Sequence, residues 1–172
     1  MEEKAKEAMK RIGLTGTEIS VKLSKRNPKA KWILFGDVHC GNSAYDRKAF
    51  MKLQENILEL AKKSVVIVTG MGDLLDSIVP GDRRFSLAEH KKTFTQAQEE
   101  ILEWFKTLKK NKNIRFNGVL YGNHEYVLIK NGVFPFAPLR REIGLNIYGT
   151  QTHNLIRFKV DGRRDNSVRI RS

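Results

Sequence analysis

One stretch organises the interpretation of this chain: Trp32-Ile33-Leu34-Phe35-Gly36-Asp37-Val38-His39, an apolar run that ends at a glycine, a carboxylate and an imidazole. Two further stretches repeat the design. Val65–Val68 leads into Gly70-Met71-Gly72-Asp73, and Gly118–Tyr121 leads into Gly122-Asn123-His124-Glu125. Each pattern is typical of a buried strand that presents oxygen or nitrogen ligands just beyond its end. Together they predict a metal site.

The order of elements predicts an α/β fold. Strands are expected at Lys31–Gly36, Ser64–Thr69 and Ile114–Tyr121, and helices between them at Asp46–Lys63 and Ser86–Lys110. A strand–helix–strand–helix–strand order calls for right-handed crossovers and a mainly parallel sheet. Ligands of such sheets collect at the carboxyl ends of the strands, which is where all three motifs fall.

The longer helix is expected to begin at Ser86, because Ser86 and Glu89 form a capping-box pattern. His90 would then lie on a solvated helix face beside Lys91 and Lys92. The predicted buried stripe of this helix consists of Phe94, Ala97, Ile101, Phe105 and Leu108.

The sequence predicts one domain over residues 1–172, with an N-terminal extension at 1–30 and a motif-bearing core at 31–125. The extension is expected to hold a helix at Glu2–Arg11 and a strand at Ile19–Leu23. After the third motif the patterns are weaker. They predict a helical turn or two at Leu139–Ile143, strands at Leu145–Tyr148, Asn154–Val160 and Ser167–Ile170, and a hairpin turn at Asp161-Gly162.

Composition limits the classes of protein to which this chain can belong. Of 172 residues, 40% are hydrophobic, yet no apolar run approaches the ~20 residues of a membrane span. A single cysteine, Cys40, cannot form an internal disulfide, so a reducing compartment, the cytoplasm, is expected. The net charge of +13 favours polyanions such as nucleic acid, although a merely soluble surface explains it equally well.

The motif residues form a chemically coherent ligand set. Asp37 and His39 are two residues apart, so both can turn toward one point beyond a strand. Asp73 has two carboxylate oxygens and can bridge two cations, and Asn123 offers a neutral amide oxygen. Mixed oxygen and imidazole ligands suit manganese, iron or zinc better than calcium. His124, beside a proposed ligand, is placed to protonate a leaving group or bind a phosphate oxygen.

The three motifs, in this order and each after a strand, resemble those of the calcineurin-like metallophosphoesterases. The resemblance implies a sandwich of two sheets flanked by helices (αββα) and two divalent metal ions, with manganese expected first and iron or zinc as alternatives. Asp37 and His39 would bind the first ion, Asp73 would bridge both and Asn123 would bind the second. His124 would be the catalytic histidine of a hydrolase that attacks phosphomonoesters or phosphodiesters with a metal-bound hydroxide, on nucleic acid or nucleotides among other esters.

The chain departs from the family pattern after the third motif. The family has a later lone histidine and a Gly-His-x-His pair, but His153 is the only histidine in this part of the chain. An incomplete sandwich and a truncated product are therefore expected. The alternative is a nucleic-acid-binding or scaffold module with the same fold and no metal requirement. Asp76 is interpreted as a loop or supporting residue in preference to a ligand.

Other residues leave two interpretations open. Cys40 is a small buried thiol or, less simply, a ligand. Arg83 and Arg84 form a solvated turn or clamp a phosphate. Tyr45 and Tyr126 follow motif loops and are candidates for stacking on bases, whereas Trp104 lies beside the buried stripe of its helix and favours core packing.

Overall fold

The computed structural model describes residues 16–23, 29–78, 86, 88, 90–149, 153–160 and 166–171. In this part of the chain it is an α/β protein with a four-stranded parallel sheet and four helices. The strands are β1 (Gly16–Leu23), β2 (Ala30–Phe35), β3 (Val65–Gly70), β4 (Ile114–Leu120), β5 (Ile147–Tyr148), β6 (His153–Val160) and β7 (Asn166–Arg171). The helices are α1 (Arg47–Ala61), α2 (Phe94–Lys109), α3 (Asn123–Lys130) and α4 (Ala137–Ile143).

The parallel sheet has the strand order β2-β3-β4-β5. Its register aligns Ala30 with Val65 and Val66 with Ile114, so the three predicted core strands lie side by side. The predicted parallel sheet is thereby confirmed. A second sheet has the order β1-β6-β7, in which β1 pairs with β6 in parallel and β6 with β7 antiparallel.

Helix α1 agrees with its prediction. Asp46 caps its N-terminus by accepting a hydrogen bond from the Ala49 N–H at 2.9 Å. Phe50 and Ile57 are buried, and Leu53 and Leu60 pack partly against the same core. The ring of Phe50 stacks on Trp104 of α2, with centroids 4.7 Å apart, so both helices cover one face of the sheet. The placement of Trp104 in the core is confirmed.

The predicted start of α2 is wrong. The helix begins at Phe94, and Thr93 and Gln96 form its capping box: Thr93 Oγ1 accepts from the Gln96 N–H, and Gln96 Oε1 accepts from the Thr93 N–H. Ser86 is not helical. Phe94 is consequently at a helix end and is 37% exposed, whereas the other four residues of the predicted stripe are buried.

The opposite face of the sheet contacts β1. Val21 and Leu23 form a buried cluster with Ile67 of β3, and Trp32 packs partly against it. Leu34, on the same strand as Trp32, is 43% exposed. β3 is therefore covered from both sides, as its unalternating apolar sequence predicts.

The C-terminal predictions are confirmed in outline by α4, β5, β6 and β7. The sequence did not predict α3, whose first residues belong to the third motif. The helix at Glu2–Arg11 and the turn at Asp161-Gly162 lie outside the described residues, as do Arg83 and Arg84. Among the helices that the structure describes, none is long and apolar enough to cross a membrane.

Candidate metal centre

Three loops at the carboxyl ends of β2, β3 and β4 form the candidate metal centre. The first two are joined by their backbones, since the Asp37 N–H donates to Gly72 O at 3.1 Å and the His39 N–H to Asp73 O at 2.9 Å. The third is joined to the second, because the His124 N–H donates to the Asp73 carboxylate at 2.9 Å. The three motif loops thus lie side by side at one edge of the sheet.

The backbone is strained where the ligands are predicted. Asp37, His39 and Asp73 have φ angles of 51°, 48° and 51°, and within the described ranges they are the only non-glycine residues with positive φ. This left-handed conformation is uncommon for residues with a side chain. Each instance costs on the order of 1–3 kcal/mol and such residues cluster at functional sites. All three coincide with predicted ligands at the ends of adjacent strands.

Two glycines permit the close approach of the loops. A Cβ on Gly72 would lie 2.4 Å from Gly122 N, and a Cβ on Gly122 would lie 2.2 Å from Asp73 Oδ1. Real Cβ atoms are not found so close to other heavy atoms. The motif glycines are therefore required by packing between the second and third loops.

Glu125 clamps these two loops together. Its buried carboxylate accepts hydrogen bonds from the N–H groups of Asp73, Leu75 and Gly122, each at 2.9 Å. Burial raises the pKa of Glu125, and the three donated hydrogen bonds oppose that rise. The sequence places Glu125 in a motif but does not reveal this role. A carboxylate in the first turn of a helix is the signal that could have indicated it.

Two overlapping groups of side chains could hold a metal ion. Ligand atoms of Asp37, His39 and Asp73 all lie within 4.8 Å of one another, and so do those of His39, Asp76 and His124. His39 belongs to both groups. Carboxylate oxygens with imidazole nitrogens form the donor set that suits manganese, iron or zinc, so the residues present fit the predicted ions.

His124 is held beside Asp76 and His39. Its Nδ1 lies 3.3 Å from Asp76 Oδ1, and its ring meets that of His39 edge-on, with centroids 4.6 Å apart. The side chain of Asp76 is 1% exposed. Asp76, expected as a loop or supporting residue, is thus a buried carboxylate in contact with the predicted catalytic histidine. Asn123 is exposed at the start of α3, next to His124.

Two further residues lie near Asp76, and the sequence does not predict that they lie there. Asn42 Nδ2 donates to Asp76 Oδ2 at 2.8 Å, and His90 Nδ1 lies 3.9 Å from the same oxygen. The expectation that His90 lies on a solvated helix face is wrong, because it precedes α2, forms a β-bridge with Asn42 and has a side chain only 17% exposed. Such contacts join residues far apart in sequence, so no local pattern predicts them.

The surroundings of three further candidate residues differ: Cys40, Tyr45 and Tyr126. Cys40 is fully buried, which confirms its interpretation as a buried thiol, and burial raises the pKa of that thiol. Tyr45 donates to Glu100 at 3.0 Å and packs edge-on against Phe50. Tyr126 is 42% exposed, with Lys130 Nζ 4.9 Å from its ring centroid.

Comparisons with protein-family models, with curated proteins and with solved structures found no match in any of the three.

Proposed function

We propose that this protein is a metal-dependent phosphoesterase that hydrolyses phosphate monoesters or diesters. The observation that carries the proposal is the convergence of Asp37, His39 and Asp73, with ligand atoms within 4.8 Å of one another on three positive-φ residues at adjacent strand ends. Strained backbone persists only where surrounding contacts hold it. Here the hydrogen bonds between loops and the Glu125 carboxylate supply those contacts.

In this proposal the motif residues bind the metal ions. Asp37, His39 and Asp73 would hold one divalent ion, and Asp73 with Asn123 would contribute to a second. When bound, such ions lower the pKa of a coordinated water and offset the charge of the phosphate. The exposed side chain of Asp37, at 86%, gives solvent and substrate access to this side of the centre.

His124 would transfer the proton to the leaving oxygen. Its Nδ1 faces Asp76, so Nε2 is the nitrogen assigned to the substrate. Asp76 would orient the imidazole and stabilise its protonated form, which is the form that donates the proton in general acid catalysis. The Asn42 amide in turn holds the Asp76 carboxylate.

The calcineurin-like αββα sandwich is the fold that goes with this proposal. Its support is the contact of β1 with β3, because Val21 and Leu23 bury Ile67 on the sheet face opposite the helices. The strand order β2-β3-β4, with every motif at a carboxyl end, is a second line of support.

The test is hydrolysis of bis-(p-nitrophenyl) phosphate and p-nitrophenyl phosphate with added manganese. We expect manganese-dependent turnover that falls at least ~100-fold in His124→Ala, the scale of general acid catalysis. Turnover should fall at least as far in Asp73→Asn, which changes the ligand assigned to both ions. Glu55→Gln, an exposed carboxylate change on α1, is the matched control and should leave turnover intact. The proposal would be refuted if Asp73→Asn hydrolysed the esters at the wild-type rate, or if the folded wild-type protein hydrolysed neither ester.

A further inference from the structure

The end of the parallel sheet opposite the metal centre carries a cluster of exposed basic side chains, here called the basic end. It consists of Lys29, Lys31, Lys62, Lys63, Lys110, Lys112 and Arg115. The short segments that hold them, 29–31, 62–64 and 109–115, contain no aspartate or glutamate. Lys62 pairs with Glu59 on its own helix.

The topology brings these segments together. The Val65 N–H donates to Lys29 O at 3.1 Å, and the Val66 N–H donates to Asn113 O at 2.9 Å. The amino ends of β2, β3 and β4 are therefore adjacent, and neighbouring strands lie about 4.8 Å apart. Charges that are distant in sequence form one surface.

Helix ends explain only part of this cluster. Cations near the last turn complement the helix dipole, which accounts for Lys62 and Lys63 after α1 and for Lys110 after α2. The other residues of the basic end precede or lie within strands, so the dipole of a helix does not account for their charge. Their common feature is the surface they share.

We propose that the basic end binds the phosphate backbone of a nucleic acid. The phosphodiester backbone of a nucleic acid is a polyanion. A surface of lysines and an arginine attracts it by charge alone, and binding releases the counterions that surround the backbone. Membrane surfaces also take apolar side chains, but the exposed large apolar residues of the described chain lie elsewhere: Leu34, Phe94, Tyr126, Val133 and Phe134. Leu34 is near the carboxyl end of β2, and the others belong to or border α2 and α3.

This surface is separate from the metal centre. β2 has six residues, so its first and last Cα atoms are about 16 Å apart at ~3.3 Å per residue. Binding at the basic end therefore requires neither the motif residues nor a metal ion, and it can be measured whether or not the chain hydrolyses phosphate esters.

The experiment measures binding of the full chain to fluorescein-labelled 20-nucleotide DNA, single-stranded and duplex, by anisotropy in EDTA between 50 and 300 mM KCl. The test variant combines Lys62→Glu, Lys63→Glu, Lys110→Glu and Lys112→Glu. The matched control combines Lys48→Glu, Lys52→Glu, Lys130→Glu and Arg140→Glu, four exposed residues outside the basic end with the same change of charge.

We expect the test variant to bind at least 10-fold more weakly than the control at 100 mM KCl. The slope of log K against log salt should also fall by ~0.7–0.9 for each phosphate that the variant no longer neutralises. The corresponding Lys→Gln variant, which removes charge without adding acid beside the helix ends, serves if the Lys→Glu variant fails to fold. Equal weakening in both variants, no binding by the wild type, or binding to phosphatidylserine vesicles without binding to DNA would overturn the proposal.

Discussion

Replacement of Gly122 by alanine tests the close contact between the second and third motif loops. Gly122 has φ −80° and ψ −177°, an extended conformation that alanine adopts without strain. The added Cβ, however, would lie 2.2 Å from Asp73 Oδ1, 2.3 Å from Asp73 N and 2.4 Å from Asp73 Cγ. Any cost of the substitution therefore comes from packing and not from backbone conformation.

The magnitude follows from these distances. Bringing the Cβ–Oδ1 separation from 2.2 Å to 3.0 Å requires the loops to part by about 0.8 Å. The hydrogen bonds of the His124 N–H to Asp73 and of the Asp73 N–H to Glu125, both 2.9 Å, would then exceed hydrogen-bonding range. Bonds to charged groups contribute about 1.5–3 kcal/mol each, and overpacking alone costs about 1–3 kcal/mol. Because parting the loops relieves the overpacking, the two costs are alternatives and are not added, and the lower end of the range for two hydrogen bonds gives about 3 kcal/mol of destabilisation.

Urea unfolding in EDTA, followed by circular dichroism, measures this destabilisation. For a chain of this length about 3 kcal/mol corresponds to a fall in Tm of roughly 6–12 °C. Gly149→Ala is the matched control, because a Cβ at Gly149 meets nothing within 4 Å and the change in unfolded-chain entropy is the same. If Gly122→Ala and Gly149→Ala unfold at the same urea concentration, the reasoning about loop packing is refuted.

Two further predictions concern the helix start and the buried thiol. Thr93→Ala should destabilise the protein by about 0.5–2 kcal/mol, because Thr93 caps α2, whereas Ser86→Ala should change stability by less than about 0.5 kcal/mol. If Ser86→Ala were the more destabilising of the two variants in urea unfolding, the result would support the helix start predicted from sequence. Cys40 should react with a disulfide reagent at pH 8 far more slowly in the native protein than in urea, since it is fully buried and burial raises its thiol pKa and so lowers the thiolate fraction. Equal rates in both states would contradict that burial.

Much of the sheet was predictable because its signals are local. An unalternating apolar run such as Val65–Val68 indicates a strand covered on both faces, and the burial of Val66, Ile67 and Val68 confirms it. The Asp46 cap and the 3.6-residue apolar period fixed α1 in the same way. The motif residues followed from their place after each strand, since parallel strands bring their carboxyl ends to one edge.

The start of α2 shows where local reasoning ends. Two capping patterns compete in the sequence, one at Ser86 and one at Thr93, and both satisfy the same local rule. The tertiary structure selects the second, because His90 forms a β-bridge with Asn42 and the Lys91 N–H donates to Gly41 O at 3.0 Å. Residues engaged in this extended pairing cannot also form the first turn of a helix.

The sequence alone determined most of the elements, though not α3, together with their order and the side chains that emerge at the strand ends, because those depend on periodicity and on near neighbours. Only the tertiary structure decided that Asp37, His39 and Asp73 take left-handed backbone, that Glu125 joins two loops and that Asp76 lies between His124 and His90. It also decided that β1 pairs with β6, a strand far along the chain. These features depend on contacts between segments far apart in sequence, and the free energy that holds them comes from packing and hydrogen bonds formed only when the chain has folded.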